Sequence, residues 1–158
     1  NALKEQNYLA AIDYTEKAYD RCLAAEDEEG LVAYYENLMS MRTVQVIKTE
    51  PEQGQRLLDL RRLITHAQDT ADAGRYQASV TFLTEALSII QSHADSKLFQ
   101  ALLPKVHGLL GFNEYKLGKV AKARQHSLQA LEAAESIGDT EGTRIYTANL
   151  ATIDSDSA

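Results

Sequence analysis

Residues 118–150, GKVAKARQHSLQALEAAESIGDTEGTRIYTANL, repeat residues 6–38, QNYLAAIDYTEKAYDRCLAAEDEEGLVAYYENL, without a gap. Laying Gln6 over Gly118 superposes Ala11 on Ala123, Ala18 on Ala130, Asp27 on Asp139, Glu29 on Glu141 and Gly30 on Gly142. It also superposes Tyr34 on Tyr146, Asn37 on Asn149 and Leu38 on Leu150. Each copy reads as a helix, a short acidic turn with glycine, and a second helix. A fainter third copy has Gly74, Tyr76, Leu83 and Ala86 where Gly118, Val120, Ser127 and Ala130 stand. A lone helical hairpin cannot bury its apolar face, so repeated hairpins imply neighbours stacked in a row.

The rest of the chain continues the helical pattern. Tyr8, Ile12, Thr15, Tyr19 and Cys22 recur at three-to-four spacing, which predicts an amphipathic helix over 8–23. The acidic run Glu26-Asp27-Glu28-Glu29-Gly30 ends it and gives the next helix, 28–48, a favourably negative start. Thr49-Glu50-Pro51-Glu52 predicts a capping box, Thr49 with Glu52, and a proline in the first turn of a third helix reaching Ala73. Further helices are expected over 76–93, 96–117, 119–137 and 140–153, with Pro104 bending the fifth or marking its true start. Residues 154–158 have no apolar partner and are expected as a disordered tail. Asn1-Ala2 is read as the scar of a cleaved tag, and 3–153 as a single domain cut from a longer protein. The fold class is thus all-α, with about seven helices in antiparallel hairpins.

Composition agrees. The 158 residues are 44% hydrophobic and 25% charged, with two prolines and no tryptophan, which excludes collagen-like and low-complexity classes. The longest apolar runs fall far short of the roughly 20 residues of a membrane span, so no membrane association is expected. A net charge of −7 repels a phosphate backbone at long range and speaks against nucleic acid. The single cysteine, Cys22, permits no internal disulfide and suits a reducing, cytoplasmic setting, where it reads as a small, half-buried helix residue.

Leu110-Gly111, Leu117-Gly118, Ala123 and Ala130 have the spacing by which the sequence resembles a tetratricopeptide repeat. Gly138-Asp139-Thr140-Glu141-Gly142 is similar to the long, roughly forty-residue variety found in adaptor and signalling proteins. The chain departs from that pattern where His107 replaces an early aromatic and Glu114 stands where another is usual. The resemblance implies an α-α superhelix whose concave groove is lined by the first helix of each pair. Independently of it, small residues at 111, 123 and 130 let helix backbones approach near the short end of the usual ~8–10 Å range. One feature resists a regular array: if Gln6 and Gly118 are equivalent, the first and sixth helices are both second members of a pair, and seven alternating helices forbid that. Either the second helix breaks near Ser40-Met41, or the array is interrupted between 42 and 59 while its helices stay long.

Enzymatic motifs are lacking. His66, His93, His107 and His126 have no metal-ligand spacing, and neither phosphate-cradling glycine loops nor nucleophile elbows occur. We expect no catalysis, metal or cofactor. The groove implied by the resemblance would present Lys105, Leu109, Phe112, Tyr115 and Lys116, with Arg61, Thr65 and Gln68 from the third helix and Asn37 and Asn149 at equivalent places. Asn side chains bind peptide amides, the aromatics hold an apolar side chain and the cations meet acidic groups, so a protein or peptide ligand is expected. The carboxylate clamp of chaperone-binding relatives is not reproduced, because Gly108 and Phe112 stand where Lys and Asn belong. Three readings follow: a protein-binding scaffold; a sensory segment of a larger bacterial signalling protein, such as a diguanylate cyclase or transcription regulator; or a self-assembly module whose open ends pair, as in a homodimer.

Overall fold

The computed structural model describes residues 2–156, and for Glu28 the backbone alone. Among the described residues the chain is helical with no strand: α1 (Ala2–Ala24), α2 (Glu28–Thr49), α3 (Pro51–Asp72), α4 (Tyr76–Gln91), the single turn α5 (Lys97–Gln100), α6 (Leu103–Lys116), α7 (Val120–Ile137) and α8 (Thr140–Asp156). No helix is long and apolar enough to cross a membrane. Backbone proximity divides the chain into two compact units, Asn1–Gly54 and Gln55–Ala158, so the stretch expected as one domain contains parts of both.

In the first unit α1 packs along α2. Ile12 is buried, Tyr8 donates its hydroxyl hydrogen to the Met41 carbonyl, and Arg42 pairs with Glu16. Tyr19 and Tyr35 meet at 6.2 Å between ring centroids. Among the described side chains of α2, Leu31, Leu38 and Thr43 are buried, and the helix runs unbroken through Ser40 and Met41. The capping box does not form: the Thr49 hydroxyl turns back to the Gln45 carbonyl, 2.9 Å away, because Thr49 still belongs to the last turn of α2. Glu50 alone separates α2 from α3, and Pro51 opens α3, where its missing N–H costs nothing.

The second unit is built around α6, which packs against α4, α7 and, over a smaller area, α8; α7 and α8 pair in turn. Leu57, Leu60, Ile64, Ala67 and Ala71 form the buried stripe of α3, and Ser79, Leu83, Ala86, Ile89 and Ile90 that of α4. The expected fifth helix is two pieces. Its backbone breaks after Gln100 and resumes at Leu103, with Pro104 in the first turn of α6, so the proline marks a true start. Phe99, fully buried, stacks on His93 at 3.9 Å between centroids and anchors the short piece. The last helix continues past its expected boundary, through Asp156, because Ile153 is buried and Arg124 reaches Asp154 at 2.8 Å. Of the tail expected over 154–158, Ser157 and Ala158 lie outside the described residues.

The sequence repeat has a geometric counterpart. Asp27 accepts from the Gly30 amide at 3.1 Å, and Asp139 accepts from the Gly142 amide at 2.9 Å, so each copy caps its second helix in the same way. The Asp27 amide donates to the Cys22 carbonyl and the Asp139 amide to the Ala134 carbonyl, both at 2.9 Å. The preceding residues, Glu26 and Gly138, both take positive φ, 56° and 73°. The α3–α4 and α6–α7 turns match as well: Gly74 and Gly118 have φ of 76° and 78°, and Arg75 bonds Thr70 as Lys119 bonds Glu114, both at 2.8 Å. By these matches α2 corresponds to α8 while α3 corresponds to α6, so α2 and α3 are both first members of a pair. The irregularity anticipated between 42 and 59 is this succession, with the break at Glu50.

Ala123 and Ala130 on α7 are completely buried, while Ala121 on the same helix is exposed. Ala123→Leu is expected to destabilise the chain by about 1–3 kcal/mol through overpacking, and Ala121→Leu to change stability by less than about 0.5 kcal/mol. Urea denaturation followed by circular dichroism checks both, and equal effects would contradict the packing described.

Candidate functional site

The faces of α6 do different work. Where α6 meets α7, a Cβ on Gly111 would lie 2.6 Å from Ser127 Oγ and 3.2 Å from the Ala123 carbonyl, so only glycine fits without a shift. Toward α4, Asn113 is fully buried and donates its amide at 2.8 Å to Ser79 Oγ, whose own hydrogen goes to the Ala67 carbonyl at 2.6 Å. This relay ties α6 and α4 to α3. Toward α8, the Tyr146 ring lies over Gly108, where a Cβ would come within 2.3 Å of it. Burial, with the Asp139 carboxylate nearby, pushes the Tyr146 phenol up to about 12.

Titratable groups gather between α6 and α7. His107 and His126 face each other with their Nδ1 atoms 3.3 Å apart. Burial, and then the neighbouring His126, lowers His107 to about 4. Burial also lowers His126, with Glu114 opposing the shift and Lys122 adding to it. Glu114 is buried, with Lys119 Nζ 3.8 Å from Oε2. Among the described residues no group of three or more His, Cys, Asp or Glu is placed to hold a metal. Cys22 is half-buried as expected, and partial burial with the Asp27 carboxylate, 3.7 Å from Sγ, raises its thiol above the usual range, which keeps it protonated.

The outward face of α6 carries Lys105, Leu109, Phe112 and Lys116 in one stripe, at helical spacings of four, three and four. Phe112 is 45% exposed, Leu109 half-buried, and both lysines exposed. Tyr76, from the start of α4, meets the Phe112 ring edge-on at 6.1 Å and 74°, and Lys116 Nζ stands 5.6 Å from the centre of that ring. Tyr115 is half-buried beside this stripe. The structure therefore brings Phe112 and Lys116 together and adds Tyr76, which sequence reasoning missed. Arg61, Thr65 and Gln68 occupy one exposed face of α3, where the Thr65 hydroxyl turns onto the Arg61 carbonyl at 3.0 Å. Asn149 is exposed on α8, and Asn37 is exposed on α2 in the other unit.

The histidine pair was also missed, although a signal existed. In a hairpin that folds about Leu117, residues nearly equally far from that point face each other, as Glu114 faces Lys119 and Gly111 faces Ala123. The same rule brings His107 opposite His126. No family model, no curated protein and no solved structure matches the chain.

Ser79→Ala leaves the buried Asn113 amide without its acceptor and is expected to cost about 1–3 kcal/mol. Adding Asn113→Leu removes the stranded group as well, so the double variant is expected to be more stable than Ser79→Ala alone. A double-mutant cycle by urea denaturation checks the ordering.

Proposed function

We propose that this chain is a protein- or peptide-binding module of the tetratricopeptide type, a stack of helical hairpins that recognises its ligand on the outward face of α6 and has no catalysis of its own. The observation that carries this reading is the exposed aromatic patch of Phe112 and Tyr76 with Lys116 over it. An exposed aromatic ring held by a neighbouring ring and flanked by an ammonium is a ready anchor, because little side-chain freedom remains to be lost on binding. Its chemistry suits a segment with an apolar side chain next to an acidic one. The matching α3–α4 and α6–α7 turns, with small residues at the helix crossings, support the superhelical reading. Lys105 and Leu109 extend the same face toward the start of α6; Arg61, Thr65 and Gln68, with Asn149, are carried as further contacts by the resemblance, whereas Asn37 belongs to the first unit and is left out of this site.

A second reading, self-association, rests on a separate observation. Ala11 is exposed and Ala18 only half-buried on α1, whereas their counterparts Ala123 and Ala130 are completely buried beneath α6. Sedimentation across a wide concentration range tests it, and a strict monomer at high concentration removes it.

For the first reading, selection from a random peptide display library with the full chain is expected to enrich segments pairing an apolar with an acidic residue. Phe112→Ala is expected to weaken the selected peptides at least tenfold, and Lys116→Glu to weaken the acidic ones selectively, a loss of about 1.4 kcal/mol or more. Unchanged affinities in both variants, which alter exposed side chains, would refute the assignment of this face.

A further inference from the structure

We propose that the His107–His126 pair is an acid-operated latch, holding α6 to α7 while at least one ring is neutral and releasing the hairpin when both are protonated. The proposal stands apart from the ligand reading, since it concerns only the contact between these two helices. The rings lie 5.6 Å apart between centroids at 27°, with Nδ1 facing Nδ1 at 3.3 Å. At that separation one Nδ1 carries a hydrogen and the other offers its lone pair. Two neutral imidazoles meet this condition, and so does a pair with one proton added at an outer Nε2. A doubly protonated pair cannot: two N–H groups then point at each other, and two like charges sit together where His107 is only 7% exposed.

The surroundings decide which proton matters. On α6, the Glu114 carboxylate favours a charge on His126, and its Oε2 is buried without a hydrogen-bond donor. On α7, Lys122 opposes that charge, and just before it Lys119 Nζ lies 3.8 Å from Glu114 Oε2. From α8, the Tyr146 phenol lies against Gly108 and stays neutral throughout the acid range. The first proton, on His126, is therefore balanced by Glu114, and the second, on His107, meets no countercharge. Among the described residues the two imidazoles have no third ligand with which to make a metal site, and the proposal concerns protons alone.

The direction follows from linkage. An unfolded histidine titrates near ~6.5, and His107 is held down to about 4, so the unfolded chain takes up this proton first as pH falls. The contribution of the pair is complete above the unfolded value, declines as pH drops through it toward the folded value, and levels off below that. Urea unfolding of the full chain, followed by circular dichroism at about pH 7.5 and about pH 5, is compared between the native sequence and His107→Gln, which keeps a polar side chain that cannot charge. Over that interval the native unfolding constant is expected to rise roughly thirtyfold more than that of the variant. Equal acid sensitivity of the two overturns the latch. If His107→Gln does not fold, the imidazole Cε1–H resonances of the native chain are titrated instead. A depressed His107 value, with amide signals of Leu110 and Ala123 broadening as it titrates, supports the proposal. Ordinary values for both rings, or titration without change in those amides, overturn it.

Discussion

The structure of the second unit depends on how closely α6 and α7 approach. A glycine at 111 faces the Ala123 carbonyl and Ser127, with Ala123, Ala130 and Ala134 completing a strip that has almost no side-chain thickness. Many other contacts follow from that closeness. It draws His107 onto His126 and brings Glu114 within reach of Lys119. Larger side chains in the strip would separate the backbones and weaken each of these contacts together.

Because α6 is surrounded by α4, α7 and α8, it buries polar groups that an outer helix would leave in water. Asn113, Glu114 and His107 are all interior, yet Phe112, between two interior residues in sequence, points outward. In the proposed reading, recognition and packing share one helix, and the exposed ring inherits the rigidity of its buried neighbours. An anchor on such a support loses less entropy on binding than one on a mobile loop.

The all-helical fold was legible because hydrophobic spacing at three to four residues and the gapless repeat between 6–38 and 118–150 are local signals. Glycines 74, 118 and 138 stand in the left-handed region the turns require, and Pro51 and Pro104 both stand at helix starts. Thr49 escaped prediction because its hydroxyl has two local acceptors in prospect, and α2 kept it for one more turn. Of the candidate site, the α6 residues were named only through the family resemblance, whereas Tyr76 arrives from α4 through packing that no short window contains. Asn113 was illegible for the same reason, since its partner Ser79 lies on a helix separated from α6 by the α5 turn.

The Asn113–Ser79–Ala67 relay bears on how the helices choose their alignment. Strips of alanine and leucine pack nearly as well after a one-turn slide as before it, so apolar contact alone leaves several stackings close in energy. Sliding α4 along α6 by a turn would carry the Ser79 hydroxyl away from the amide and leave a dry polar group facing methyls. One hydrogen-bonded side chain thereby works as a key, admitting a single setting among many that grease would tolerate.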